Sequence, residues 1–129
     1  MRQSLVFIIA ASVLSACGYV RDEHIDGPYR LDAVDALDET GVCYELPHAA
    51  CIGRVPATVC AVGFDTKYLV VARHSRGDKS KLEYYYLIRA LDGPLIDPSV
   101  AVHGPFDAEA FSVESKRLGL PAFTRKLSD

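Results

Sequence analysis

The sequence predicts an α+β domain, a small twisted antiparallel sheet of about five strands with one C-terminal helix packed on it. Two observations carry that prediction. From Pro28 onward, short apolar segments alternate with turn residues, the pattern of strands. After Asp107 the apolar spacing lengthens to a helical period and is closed by Gly119 and Pro121. A chain of 129 residues, 50% hydrophobic and 24% charged, fits one globular domain.

The first predicted hairpin joins "YRLDAVD" to "VCYEL" across residues 36–41. The clearest pair is "TVCAVGF" and "YLVVARH", joined by Asp65, Thr66 and Lys67. A three-residue turn sets Phe64 opposite Tyr68, Val62 opposite Val70 and Cys60 opposite Ala72. Both faces of Thr58 to Phe64 are apolar, which makes that strand central. In "LEYYYLIRA", Leu82, Tyr84, Tyr86, Ile88 and Ala90 share one face, and Glu83, Tyr85, Leu87 and Arg89 share the other. That strand is expected to be half exposed. "AVDALDETGVCYEL" and "AVGFDTKYLVVARH" echo one another as strand, acidic turn and strand. The units resemble hairpins of propeller blades, but the chain is too short to close a propeller.

The helix begins at Asp107, whose side chain is placed to cap it. Glu109 in the first turn and Lys116 and Arg117 in the last suit the helix dipole. Ala110, Phe111, Val113 and Leu118 supply an apolar stripe for the sheet.

The N-terminus has a different character. Met1 and Arg2 precede an uncharged run from Leu5 to Leu14, ten residues long, which ends in Ser15, Ala16, Cys17 and Gly18. As a helix the run spans roughly 15 Å, about half a bilayer core, so it reads as a secretory leader rather than a permanent span. The cluster Leu14-Ser15-Ala16-Cys17 resembles the lipobox of bacterial lipoproteins. That resemblance, confined to residues 1–18, implies a signal peptide over 1–16 and a palmitate-bearing lipid anchor at Cys17. Gly18 in the next position implies sorting to the outer membrane, with the domain in the periplasm of the cell envelope. A Gram-positive membrane is the other address it allows, and a plain secretory signal with an incidental Cys is the alternative. Residues 17–27, charged and poor in apolar side chains, read as the lipidated Cys and a flexible tether. The globular domain then occupies 28–129.

Net charge narrows the partners. The formal charge is −3, and setting aside Arg2 takes the 14 basic residues to 13 against 17 acidic ones. Nucleic-acid binding calls for a basic stripe, so that class is excluded. No cofactor motif or metal-ligand spacing is present, and neither a cofactor nor a metal is expected.

Of the remaining cysteines, Cys43 and Cys51 flank "YELPHAA", which suits a turn bridged by a disulfide. Cys60 is then a core thiol. A zinc site from Cys43, His48, Cys51 and Cys60 is the alternative, though its spacing is no zinc signature. Asp35, Asp38 and Glu39 lack the glycine-kinked loop of many calcium sites and read as a solvated turn. A Cys60 nucleophile with His74 or His103 as base is the sharpest catalytic reading. On the predicted register, however, Cys60 and His74 lie far apart.

One loop is basic in an acidic chain. Residues 73–83 carry Arg73, Arg76, Lys79 and Lys81 against Asp78 and Glu83, with Tyr85 beside them. These five residues form a candidate partner-binding patch for an envelope protein, an anionic polymer or lipid headgroups. The alternative is a solvated hairpin whose lysines discourage edge pairing. The expected function is a membrane-anchored, non-enzymatic binding or accessory module. A small Cys/His hydrolase-like enzyme, or an inhibitor of an envelope-directed enzyme, is the competing reading.

Overall fold

The computed structural model describes residues 20–75 and 77–127. The leader, Cys17 and Arg76 lie outside the described residues. The α+β class holds, with the C-terminal helix packed on antiparallel sheet, but the strands form two sheets where one was expected.

The first sheet is a meander of β1 (Arg21–Asp26), β2 (Tyr29–Ala33), β3 (Gly41–Glu45) and β4 (Cys51–Val55). The second contains β5 (Val59–Phe64), β6 (Tyr68–Ser75), β7 (Asp78–Ile88), β8 (Val102–Phe106) and the short β9 (Arg125–Lys126), in the order β8-β7-β6-β5-β9. A one-turn helix α1 (Pro98–Ala101) leads into β8, and α2 (Ala108–Leu118) follows it. The two echoing segments are hairpins of different sheets, β2–β3 and β5–β6.

The molecule has three layers. Between the sheets, Tyr29, Leu31, Val42 and Val55 meet Val59, Val62, Leu69, Val71, Tyr85 and Leu87. On the outer face of the second sheet, Val70 and Tyr86 pack with Phe111 of α2, joined by Tyr84, Phe106, Leu118 and Phe123. The two faces of β7 are assigned as expected, yet Tyr85, Tyr86 and Leu87 are all buried. The first sheet covers one face and the helix the other, so the half-exposed strand is corrected to a buried one over that stretch.

Strand β1 corrects the tether. Arg21 to Asp26 pairs along β2, with Ile25 buried and Arg30 bonded to Asp22 at 2.6 Å. Its charged residues suit an edge strand that presents them to water and to a cross-strand partner. The chain from Cys17 to the first strand is therefore only four residues long, at most about 14 Å when extended.

The β5–β6 register also differs. Asp65 Oδ1 accepts from the backbone N–H of Lys67 and Tyr68 at 2.8 and 2.7 Å, which widens the turn so that Phe64 pairs with Leu69. A bulge between Val59 and Ala61 then shifts the ladder by one residue. Gly63 is required for close approach: a Cβ there would lie 2.0 Å from the Ala122 carbonyl oxygen.

Helix α2 follows its sequence signals. Asp107 Oδ1 accepts from Ala110 N–H at 2.7 Å, and Gly119 ends the helix in the left-handed region at φ 67°. Phe111 is buried and Leu118 is packed beneath the helix. Val113 is instead exposed, because the face of Phe111 and Leu118 is the one turned to the sheet.

Candidate functional site

Cys43 and Cys51 form a disulfide, with Cα atoms 5.4 Å apart, across the β3–β4 turn. This removes two ligands from the zinc alternative. Among the described residues no group of three or more His, Cys, Asp or Glu is arranged to hold a metal ion.

Among the described residues of the basic loop, two members of the expected patch are turned inward. Arg73 is buried. Its guanidinium donates to the Ala57 carbonyl and sits 2.6 Å from Glu83 Oε2. The Tyr85 hydroxyl donates to the same carboxylate at 3.3 Å, and burial pushes its pKa up. Arg73 and Tyr85 thus close one end of the inter-sheet core and are not a recognition surface. Lys79 and Lys81 are exposed along the start of β7. Beside them, hydrogen bonds from Ser80 hold the Asp78 carboxyl below the usual carboxylate range.

What the structure does bring together is Cys60 and His74. The Thr58 carbonyl accepts from His74 N–H at 2.8 Å, so Cys60 lies two residues along β5 from His74's rung. Both line an apolar groove of about 400 Å³ on the outer face of the second sheet, between Leu82, Tyr84, Phe123 and Leu127. Cys60 is half-buried rather than a core residue, and its Sγ is 3.5 Å from the Ala72 carbonyl oxygen. His103 is the wrong partner. It sits on β8, three strands from β5, which at about 4.8 Å per strand is roughly 14 Å. Its ring stacks on Tyr86 with centroids 4.8 Å apart.

On its other side His74 lines a polar cleft of about 300 Å³ with Asp38, Glu39, Thr58, Ser75 and Lys79. The 3-10 turn Leu37–Glu39 delivers the two acidic residues. Thr40 Oγ1 closes that turn on the Leu37 carbonyl at 2.6 Å, and the Thr58 hydroxyl donates to the Asp38 carbonyl. His74 thus stands as the wall between an apolar groove and a charged cleft. Its Nδ1 is buried without a hydrogen-bond partner.

Sequence reasoning singled out Cys60, His74, Asp38, Glu39 and Lys79, but in separate roles. Phe123 and Leu127 carried no signal, because they reach the groove only through the pairing of β9 with β5. Among the described residues no helix is long and apolar enough to cross a membrane. No protein-family model matches the chain, and comparisons with curated proteins and with solved structures give no match.

Proposed function

We propose that this protein is a bacterial lipoprotein, cut before Cys17, acylated there, and serving as a non-enzymatic binding module of the cell envelope. The observation that carries the proposal is Leu14-Ser15-Ala16-Cys17 at the end of a ten-residue uncharged run. Gly18 directs the default address to the outer membrane, with the domain in the periplasm. The Cys43–Cys51 bond supports an oxidising compartment. Each buried methylene of an acyl chain contributes about 0.8 kcal/mol, so two or more chains at Cys17 hold the protein stably where one does not.

Binding is favoured over catalysis by the groove itself. The Cys60 thiol lies 3.5 Å from the Ala72 carbonyl oxygen, within reach as a weak hydrogen-bond donor. The test is labelling with palmitate in the producing cell, followed by mass analysis of the mature N-terminal peptide. The native protein is expected to be labelled and to begin at an acylated Cys17, and Cys17→Ser to be unlabelled. An unlabelled native protein, or equal labelling of Cys17→Ser, overturns the proposal.

A further inference from the structure

We propose that the end of the first sheet carrying Val20, Val34 and Leu37 rests against the phospholipid headgroups of the bilayer that holds Cys17. Arg21 pairs with Ala33, and the Val20 N–H donates to the Ala33 carbonyl at 2.9 Å, so Val20 and Val34 lie opposite one another at the end of the β1–β2 ladder. Leu37 opens the 3-10 turn that follows β2. These three apolar side chains are left outside both cores, 49%, 54% and 40% exposed.

Covalent reach says what covers them. Cys17 stands three residues before Val20, at most about 11 Å away by any course of the chain. The headgroup layer on one side of a bilayer is roughly 5–8 Å deep. With acyl chains from Cys17 in the hydrocarbon, Val20 is therefore held close to the outer surface of that layer. A tether running to residue 27 would leave the domain free to turn, but the pairing of β1 with β2 removes that freedom. Strand β1 is six residues long, roughly 20 Å, so its far end, where Asp26 meets Arg89 at 2.7 Å, stands away from the membrane when the molecule rests on Val20 and Val34. Lying flat along β1 would instead press the exposed Asp22 and Glu23 onto the headgroups and leave the apolar end in water.

The charges at this end set the depth. Val59 N–H donates to the Thr40 carbonyl at 2.8 Å, and the Thr58 hydroxyl donates to the Asp38 carbonyl, which brings the start of β5 to the turn after β2. The β6–β7 hairpin ends beside it, with Lys79 lining the same cleft as Asp38 and Glu39, and its exposed Lys79 and Lys81 suit headgroup phosphates. Asp35, Asp38 and Glu39 are exposed at the same end, and the cost of carrying a carboxylate into hydrocarbon stops the domain at headgroup depth. The contact is peripheral, with no part of the domain crossing the bilayer.

This orientation rests on acylation at Cys17, and its test reads the two separately. The full-length protein, isolated with its anchor from the producing cell, carries a photoreactive phenylalanine analogue at Val34, Leu37, Leu91 or Val113 and is placed in phosphatidylcholine vesicles. Leu91, next to Arg89, and Val113, on α2, are 48% and 61% exposed, so exposure alone gives all four positions a similar chance of reaction. Lipid adducts are expected at Val34 and Leu37 and absent at Leu91 and Val113. Val34→Glu should lower the adduct yield at Leu37 by about fivefold. Retention of the Cys43–Cys51 bond and of protease resistance confirms that each variant is folded. Adducts at Leu91 or Val113 equal to those at Val34, no lipid adduct at Val34 and Leu37 in folded acylated protein, or adducts there to another polypeptide in place of lipid overturn the orientation and leave the lipoprotein reading standing. An N-terminal peptide without acyl chains, read by mass in the same sample, overturns both.

Discussion

Replacing Asp92 with Asn tests the interaction that ties the first sheet to the segment following β7. The side chains of Asp92 and Arg54 are fully buried and 3.0 Å apart. Arg54 Nε donates to both carboxylate oxygens at 3.1 and 3.0 Å, while the Tyr29 hydroxyl and Gly93 N–H each donate at 2.9 Å. The guanidinium also donates to the Gly93 carbonyl at 3.0 Å and lies over the Tyr44 ring, 5.0 Å from its centroid. Every polar atom of the carboxylate is thus engaged, and its loss of charge strands a guanidinium in the core. Breaking such a pair costs about 3–5 kcal/mol, a large part of the roughly 5–15 kcal/mol that holds a domain together. Urea unfolding is the assay. At a slope of about 1–3 kcal/mol per molar, Asp92→Asn should lower the midpoint by at least about 1 M. Arg30→Met breaks the half-exposed pair with Asp22 and should cost less than about 1 kcal/mol. The double variant Arg54→Met/Asp92→Leu, which leaves no buried charge, should recover much of the loss. A cost below about 1 kcal/mol for Asp92→Asn, or a double variant no more stable than the single, would refute the reasoning.

Three further outcomes follow from the same structure. Cys43→Ala/Cys51→Ala opens a loop with a sequence separation of 8 and should cost about 2.5 kcal/mol by the chain-entropy relation, read as a fall in urea midpoint; an unchanged midpoint contradicts it. Burial, followed by the hydrogen bond to Asp92, raises the Tyr29 pKa, so the folded state keeps a proton that the unfolded chain releases near pH 10. Stability should therefore hold below pH 10 and decline as pH rises above it, and Tyr29→Phe should flatten that decline; identical alkaline profiles would exclude Tyr29 as its source. Desolvation, with Asp22 directly opposite, raises the Asp32 pKa. Asp32→Asn should gain up to about 1 kcal/mol at pH 7 and nothing below the unfolded carboxylate range, where both states are protonated; a loss at pH 7 on urea titration counts against this.

The helix was legible because its signals are local. Asp107, Glu109, Lys116, Arg117 and Gly119 each act within one turn of an end, and every one stands where its position in the sequence implies. The Cys43–Cys51 bond was legible for the same reason, since eight residues around a turn leave the two side chains little choice. Strand β1 was not, because Arg21 to Asp26 offers little apolar surface and acquires its role only from β2. The patch around Arg73 and Tyr85 misled because charge and aromaticity are composition, whereas exposure depends on the layer packed above. Cys60 and His74 were each visible, and the pairing of β9 with β5 decided that they line one groove.

By itself, then, the sequence determined the α+β class, the β5–β6 hairpin and the C-terminal helix, and it favoured the pairing of Cys43 with Cys51. Alternation of apolar residues records that a face is buried, and capping and turn residues record where an element ends. Only the tertiary structure decided that the strands divide into two sheets, that Arg54 finds Asp92, and that two cavities share His74. Those outcomes depend on which distant surfaces fit together. The free energy of burying Leu31 or Leu69 is set by the area removed from water, and it is indifferent to the identity of the covering layer until the whole chain has packed.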